Sequence, residues 1–512
     1  MILLRFRLAL IVFVLGGLLS GCIAAHNVNR TQAHLQRVHD FRAVDADSAN
    51  VLLKTYRRKG EDEVLYRLEQ GMLSHYQEDW QASAKHFRRA DRAIERHYTK
   101  DVTKNLQSLL INDLQLPYTG ESYESIYLST FNCLNYLQMG DTEGALVEMR
   151  RVTHKLELLN DRQRGLAQSL AKRDTADAAL KKVDEKLEGV DLLTETGAAP
   201  PEIRQNSAFG RFLTTVLYSK AGQPDDARIE LQKLRTALDD QGQADYLTAL
   251  TRAAEASSSS GEPAATDEAG WMTAGFLPVG GDLRKDFWGI GAPSSPSPSE
   301  RAGMGGMSVS APDRLTRPTA YNTVLLSFTG TAPQKRERSF SIPIVLDEET
   351  VQLHFAVPVL DTPKSRVARV RAVAAGDTVQ VPMIEDMQAV AREMFDQKKP
   401  ILYTRAVIRA VLKAGVTEGA EKLAREEGSD AAGFLVEQAG NLMSMGAAQA
   451  DTRGWQTMPG RVHAVPATLP EGTHEVTFEY LSDQDRVLKR RTRSVTVSGA
   501  RDLAVTESIY LK

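Results

Sequence analysis

The sequence has few of the groups from which covalent, metal or nucleotide chemistry is usually built. It contains 2 cysteines and 10 histidines among 512 residues, and no two histidines share a predicted helix at metal-ligand spacing. Gly-x-Ser-x-Gly, His-Glu-x-x-His and Gly-Lys-Ser/Thr motifs are missing. We therefore predict no enzyme activity, no metal and no cofactor. Acidic residues are nevertheless numerous enough for the fold to bring two carboxylates together.

The sequence also lacks a concentrated basic field and a long apolar run. Its formal net charge of −3 is unlike the strongly basic balance of nucleic-acid-binding proteins, so no nucleic-acid partner is expected. Beyond the N-terminus, no segment approaches 18 consecutive apolar residues, so no membrane-spanning helix is predicted there. A chain of this length exceeds what one hydrophobic core usually serves, which predicts two or three domains.

The N-terminus has the pattern of a secretory signal peptide. Arg5 and Arg7 precede an uncharged apolar run from Leu8 to Leu19, which is too short for a bilayer core of ~30 Å. The run ends in Leu19-Ser20-Gly21-Cys22. This tetrapeptide resembles the lipobox of bacterial lipoproteins, whose cysteine thiol is alkylated by a diacylglyceryl group and becomes the mature N-terminus. A plain signal peptide with an unrelated cysteine is the alternative.

Lipidation of Cys22 would determine where the protein is located. Two or three acyl chains anchor a protein stably, whereas one chain binds only marginally. The resemblance implies export in a Gram-negative bacterium, and Ile23 and Ala24 stand where an aspartate would retain an enterobacterial lipoprotein in the inner membrane. We therefore expect a lipid anchor at the periplasmic face of the outer membrane. With Cys22 lipidated, Cys133 has no intrachain partner and is predicted to be a small buried packing residue rather than a reactive or intermolecular thiol.

Three segments between residues 59 and 252 indicate helix pairs. In the first, Gly71 precedes a turn, Trp80 follows it, and Ser83 and Phe87 lie on the second helix. Small residues let two helices cross closely, and large ones fill the groove beside them. This pattern resembles a tetratricopeptide repeat.

Two further copies of the pattern follow. The second extends from Cys133 to Val152 around Ala145, and the third from Tyr218 to Leu234 around Ala227. The copies lie further apart than the ~34 residues of this repeat. We therefore expect extra material between them, including a charged helical stretch at 153–187, which we interpret as a hairpin packed on the repeats rather than a coiled coil.

The second half of the chain changes character twice. Residues 253–318 are rich in Ser, Pro, Gly and Ala, which predicts a linker. We expect the apolar side chains within it to dock onto a neighbouring domain, a recognition element for a partner being the alternative. They are Trp271, Phe276, Phe287, Trp288 and Ile290.

Beyond the linker, strand-like runs flank a helical block at 383–450, which predicts an α+β domain with an antiparallel sheet or sandwich and a helical insertion. The predicted organisation is a signal peptide at 1–21, a lipid-anchored tether at 22–58, an all-α repeat domain at 59–252, the linker at 253–318 and the α+β domain at 319–512.

Three sequence marks together resemble one family. They are Tyr118-Thr119-Gly120 with Tyr123-Glu124, the run 405–413, and Ala450-Asp451-Thr452-Arg453-Gly454-Trp455. The family is one of uncharacterised bacterial tetratricopeptide-repeat lipoproteins. Its members are similar to neighbours of lipoproteins that activate penicillin-binding proteins or belong to curli-type secretion systems. No activity is established for it, so the resemblance assigns no functional residues.

Two groups of residues are candidate binding sites. Arg405, Arg409 and Lys413 are spaced by four and therefore share one helix face. A solvated face is the first interpretation, and contact with peptidoglycan or an acidic partner is the second. Asp451, Arg453 and Trp455 follow the helical block, and we favour a structural corner over a ligand cradle there.

Apart from Cys22, the sequence thus offers candidate contact surfaces and no reactive centre. We expect a membrane-anchored periplasmic scaffold that binds an envelope protein during cell-envelope assembly or peptidoglycan synthesis. The alternative is a lipoprotein whose C-terminal domain binds peptidoglycan or another glycan. An envelope hydrolase ranks third.

Overall fold

The computed structural model describes residues 62–101, 117–171, 206–259, 306–346, 349–413, 449–499 and 501–511. The helices are α1 (Glu63–Tyr76), α2 (Trp80–Asp101), α3 (Ser122–Gln138), α4 (Thr142–Ala171), α5 (Ala208–Lys220), α6 (Pro224–Asp240), α7 (Asp245–Ser259) and α8 (Met387–Lys413). The strands are β1 (Ser308–Val309), β2 (Thr323–Thr331), β3 (Gln334–Leu346), β4 (Glu349–Asp361), β5 (Arg369–Ala374), β6 (Asp377–Gln380), β7 (Met383–Asp386), β8 (Pro459–Thr468), β9 (Gly472–Leu481), β10 (Val487–Val497) and β11 (Ala504–Tyr510).

This element order confirms a two-part architecture, with helices in the N-terminal half and sheets in the C-terminal part. The helical block predicted from residue 383 begins at Met387 instead, because the first four residues of the predicted block form β7. None of the helices in the described ranges is long and apolar enough to cross a membrane. Cys22 and the rest of the signal and tether lie outside these ranges.

Helices α1 to α6 form three consecutive pairs, each joined by a turn of three residues. Gly140 and Gly222 take positive φ in the second and third turns, a conformation that glycine adopts without steric cost. In the first pair the hydroxyl of Ser83 donates to the carbonyl of Gly71 over 2.7 Å. A Cβ on Gly71 would lie 2.6 Å from the ring of Phe87. The close crossing in this pair therefore depends on glycine.

The strands form three sheets. One contains β1-β8-β2-β11 in that order, with β7 also paired to β8, and the second contains β10-β9-β5-β6. Strands β3 and β4 pair with each other over their whole length. All pairings are antiparallel except that of β11 with β2, which is parallel. The predicted antiparallel sheets are therefore confirmed. The parallel pair arises because β8 covers one edge of β2 and β11 pairs with the other.

The helix pairs pack directly on the five-stranded sheet. All nine residues of β2 are buried, as expected for a strand covered on both faces. Phe328 of β2 lies 5.3 Å from Phe131 of α3 and 6.0 Å from Phe209 of α5, centroid to centroid. One hydrophobic cluster continues from the helices through β2 to β5 and β9. The side of the helical array that faces the sheet is therefore occupied by the chain itself.

The segment predicted as a linker is structured at both ends. Helix α7 continues to Ser259, and β1 begins at Ser308. Leu315 is fully buried. The five apolar residues predicted to dock lie outside the described residues, so their role and the domain boundaries stay predictions. The charged stretch at 153–187 begins as a continuation of α4, which reaches Ala171 without a break.

Candidate functional site

The connection before β8 brings Asp451, Arg453 and Trp455 into one compact corner. The guanidinium of Arg453 donates to both carboxylate oxygens of Asp451, over 2.9 and 2.7 Å, and also reaches Asp62 at 3.3 Å. It stacks 5.3 Å above the ring of Tyr118. A bidentate pair of this kind fixes the orientation of the two side chains as well as pairing their charges. The Asp-Arg pair predicted from sequence therefore ties the corner to the start of α1.

Trp455 packs into the helical core. Its indole is 2% exposed and makes edge contacts with Phe87 at 5.7 Å and Phe131 at 6.1 Å. Its ring N–H donates to the hydroxyl of Thr457 over 3.0 Å. The indole is thus a packing anchor whose one polar atom has a partner.

Glu124 joins this corner to α3 through a fully buried carboxylate. It accepts hydrogen bonds from the backbone N–H of Trp455 at 2.7 Å, the hydroxyl of Tyr118 at 2.7 Å and the backbone N–H of Glu121 at 2.9 Å. Burial and the charge of Glu121 raise the pKa of Glu124 to about 7, although the three hydrogen bonds act in the opposite direction. Both oxygens are engaged by the chain itself.

Glu121 lies one helical turn before Glu124 and has a different electrostatic environment. It pairs with Lys335 of β3 and, at 2.6 Å, with Lys398 of α8. Burial disfavours its charge, but the two ammonium groups outweigh burial and hold the pKa of Glu121 well below its usual range. One carboxylate thus stays charged beside a neighbour that titrates near neutrality, and the pair connects α3 to both the β3–β4 hairpin and α8.

Two further buried glutamates bind backbone N–H groups of the other part of the chain. Glu69 of α1 accepts from the backbone of Gln456 at 2.7 Å and Thr457 at 3.1 Å. Glu385 of β7 accepts from the backbone of Ala208 and Phe209, each at 3.1 Å. These two N–H groups belong to the first turn of α5 and have no partner within the helix. The carboxylate of Glu385, from the sheet, therefore caps the N-terminus of α5.

Ser207 and Gln241 also bond to Glu385, over 3.1 and 2.9 Å. Burial raises the pKa of Glu385 to about 7 despite these donors. The side chain therefore takes a proton more readily than an exposed glutamate would.

His75 provides a fourth junction. Its ring nitrogens contact Asn135 at 2.8 Å and Glu507 of β11 at 2.9 Å, and Gln138 donates to Glu507 over 2.9 Å. Burial lowers the pKa of His75, but the charge and hydrogen bond of Glu507 and the contact with Asn135 leave it raised overall. This geometry favours a charged imidazolium between α1 and β11.

Together these groups fasten the helices to the sheets. Each of Glu69, Glu124, Glu385 and Glu507 is at most 8% exposed, and each accepts hydrogen bonds from an element on the other side of the junction. A substrate could reach these oxygens only after the junction opened. Among the described residues, no group of three or more His, Cys, Asp or Glu side chains is arranged to hold a metal ion.

The other predicted site residues do not join this cluster. Arg405, Arg409 and Lys413 all lie on α8, where Arg409 is half-buried, and the side chains of Arg405 and Lys413 lie outside the described set. Binding at these three residues stays a prediction. Cys133 is fully buried, as predicted, and burial raises the pKa of its thiol well above the usual range.

Sequence reasoning missed most of the junction carboxylates, although two left a trace. Glu69 follows Leu68 and lies one turn from Leu65 on the apolar face of α1, where a solvated acid is not expected. Glu124 stands three residues after Glu121 at the start of α3, the spacing of a capping box. Glu385 and Glu507 lie in short strands whose neighbours give no comparable signal.

No protein-family model, curated protein or solved structure matches this chain.

Proposed function

We propose that this protein is a lipoprotein anchored through Cys22 at the periplasmic face of the outer membrane, where it serves as a protein-interaction scaffold in envelope assembly or peptidoglycan synthesis. The signal pattern ending in Leu19-Ser20-Gly21-Cys22 supports the anchor. The mechanism is tethering, which raises the local concentration of a partner.

The stacking of the helix pairs supports a tetratricopeptide-like array. Helix α2 packs on α3, and α4 packs on α5, so the second helix of each pair contacts the first helix of the next. Small residues occupy matching buried positions, namely Ser83, Ala145 and Ala227. Because α1, α3 and α5 lie against the sheet, a partner would meet the outer helices α2, α4 and α6.

One observation carries the scaffold proposal. Val147 of α4 and Ile229 of α6 are the large apolar side chains most exposed among the described residues, at 46% and 55%. Each stands two residues after the small residue of its pair, Ala145 and Ala227. A single exposed aliphatic residue is ordinary, but equivalent positions on consecutive pairs form a row. Protein interfaces place such side chains at their centre.

Photocrosslinking in cells tests this surface. A photoreactive residue placed at position 147 and one placed at position 229 of the full-length chain should each capture the same envelope protein. A photoreactive residue in place of Arg252, which is exposed on α7, should not capture it. Val147→Asp combined with Ile229→Asp should abolish capture from a neighbouring exposed position such as Arg150. Capture of lipid alone, or identical products from all positions, would contradict the scaffold function.

The anchor is tested separately. A Cys22→Ser variant should leave the outer-membrane fraction, and its retention there would disprove the anchor without bearing on the partner surface.

A further inference from the structure

The outer face of α2 carries a stripe of cations. Lys85, Arg89 and Arg92 are all exposed, and their spacing of four and three places them on one side of the helix. Arg96 continues the same side, 60% exposed and 3.0 Å from Glu63. Arg88 lies beside the stripe and donates to the hydroxyl of Tyr136 over 2.7 Å.

The charge of this stripe is not cancelled within the described ranges. There, Lys85, Arg89 and Arg92 take part in no hydrogen bond or ion pair. Asp91 of α2 faces the opposite way and is matched by Lys155 and Arg151 of α4. Glu95 stands three residues after Arg92 and therefore borders the C-terminal end of the stripe, about 80° around the helix from Lys85 at 3.6 residues per turn.

Among the side chains of α2 that the structure describes, at 80–97, the stripe has no apolar centre of the kind a protein interface has. The exposed ones are all polar or charged: Gln81, Lys85, Arg89, Arg92, Glu95 and Arg96. Stable protein contacts usually bury aromatic or aliphatic anchors surrounded by a polar rim. A row of long basic side chains without such anchors suits a diffuse, anionic plane, where each charge acts additively and at a distance.

The position of α2 in the chain favours a membrane as that plane. Glu63, at the start of α1, follows Cys22 by 41 positions, so α1 and α2 are the first described elements after the proposed lipid anchor. We infer that Lys85, Arg89 and Arg92 dock the helical array onto the anionic phospholipid headgroups of the leaflet that holds the anchor. This inference rests on the proposed anchoring for its biological setting.

Docking would orient the molecule. With α2 against the headgroups, the outer side of the first helix pair faces the membrane. Val147 and Ile229 occupy on the next two helix pairs the position that Lys85 occupies on the first, two residues after the small buried residue, so the stripe and the partner row share the outer side of the array. The lipid thus supplies retention and the stripe supplies orientation.

Vesicle binding by the full mature chain with Cys22→Ser isolates the stripe from the lipid. The unlipidated chain should bind phosphatidylglycerol-containing vesicles and not pure phosphatidylcholine vesicles, and salt should weaken the binding. Replacing Lys85, Arg89 and Arg92 together by Gln should reduce affinity on the order of 100-fold, at about fivefold per cation near the surface. The matched control replaces Arg235, Arg252 and Arg491, which are exposed elsewhere, and should retain wild-type affinity.

Orientation is measured on the lipidated chain. A fluorophore on a cysteine introduced at Gln81, on the same side of α2, should be quenched by headgroup-attached quenchers, whereas one at Thr378, exposed on β6 on the sheet side of the molecule, should not. The native Cys133 is buried and so does not compete for the label.

Equal loss of affinity in both triple variants, or no preference for phosphatidylglycerol, would overturn the inference. Binding to purified sacculi that depends on the stripe, without binding to vesicles, would overturn it in favour of a glycan. Because the vesicle assay uses an unlipidated chain, its result does not depend on whether Cys22 is the anchor.

Discussion

The two sides of the helical array differ in where their ionisable side chains lie. On the side facing the sheet, Glu69, Glu124 and Glu385 are buried and bind backbone N–H groups of the other part of the chain. On the outer side, Lys85 and Arg89 extend into solvent from α2. A buried acidic group is expensive unless it is hydrogen-bonded, so the hydrogen-bonded glutamates on one side mark a fixed junction. The outer charges cost little and are available for contact.

Disrupting the apolar centre of the junction should have the largest effect. Phe328 lies between Phe131 and Phe209, so Phe328→Ala would leave a cavity shared by the helices and the sheet. Truncating a buried phenylalanine typically costs about 3–5 kcal/mol. We expect urea unfolding followed by circular dichroism to show that loss in one transition, because one core serves both parts. Separate helix and sheet transitions would show that the junction is weaker than its packing indicates.

Removing a junction carboxylate should be the next most damaging change. Glu385→Ala deprives the N–H groups of Ala208 and Phe209 of their acceptor, and each buried group left unsatisfied costs about 1–3 kcal/mol. We expect a loss of about 2–3 kcal/mol in the free energy of unfolding. Glu143→Ala, which alters an exposed acid in the first turn of α4, is the control and should change stability by less than about 0.5 kcal/mol. Equal effects of the two substitutions would contradict the junction role.

The strand-like sequence pattern made the sheets predictable. The junction between the helices and the sheets was not predictable from sequence. The strand-like runs beyond the linker predicted the sheets, because the burial of a strand shows in its neighbours in sequence. In β2 that signal is the mostly apolar run from Val324 to Phe328. The spacing of Gly71 and Phe87 likewise predicted a local crossing. Glu124 and Trp455 are 331 residues apart, and no sequence period connects them. In the sequence alone, a buried glutamate cannot be distinguished from a solvated one until its hydrogen-bond partner is known.

A similar limit explains the linker. Its composition predicted a separator between two independent parts, and residues 260–305 lie outside the described ranges. The helices and sheets nevertheless share one core. Composition reports whether a segment can bury itself, and it does not report whether the segments on either side pack together.

The pH dependence of stability gives a smaller and more specific test. The pKa of Glu124 and of Glu385 is raised to about 7, so the folded protein holds protons that the unfolded chain, with a glutamate pKa near 4.5, has released. Stability should therefore fall as pH rises from about 4.5 to about 7. Each group would contribute up to about 3 kcal/mol at ~1.4 kcal/mol per pKa unit.

Unfolding midpoints across this range measure the slope. Glu124→Gln should flatten it, because the amide cannot lose the proton, and Glu143→Gln should leave it unchanged. An unchanged slope in Glu124→Gln, or no slope in the wild type, would show that these carboxylates are charged in the folded protein throughout the range.

The smallest stability effects should come from the outer side, where function and folding separate. Val147→Ser and Arg92→Gln replace exposed side chains that have no buried partner, so each should change the free energy of unfolding by less than about 0.5 kcal/mol. Val147→Ser should nevertheless weaken crosslinking to the partner, and Arg92→Gln should weaken vesicle binding by about fivefold. Phe328→Ala should reduce both in proportion to the fraction unfolded. A loss of stability in the two surface variants that matched their loss of binding would mean that the outer side, too, belongs to the fold rather than to a contact surface.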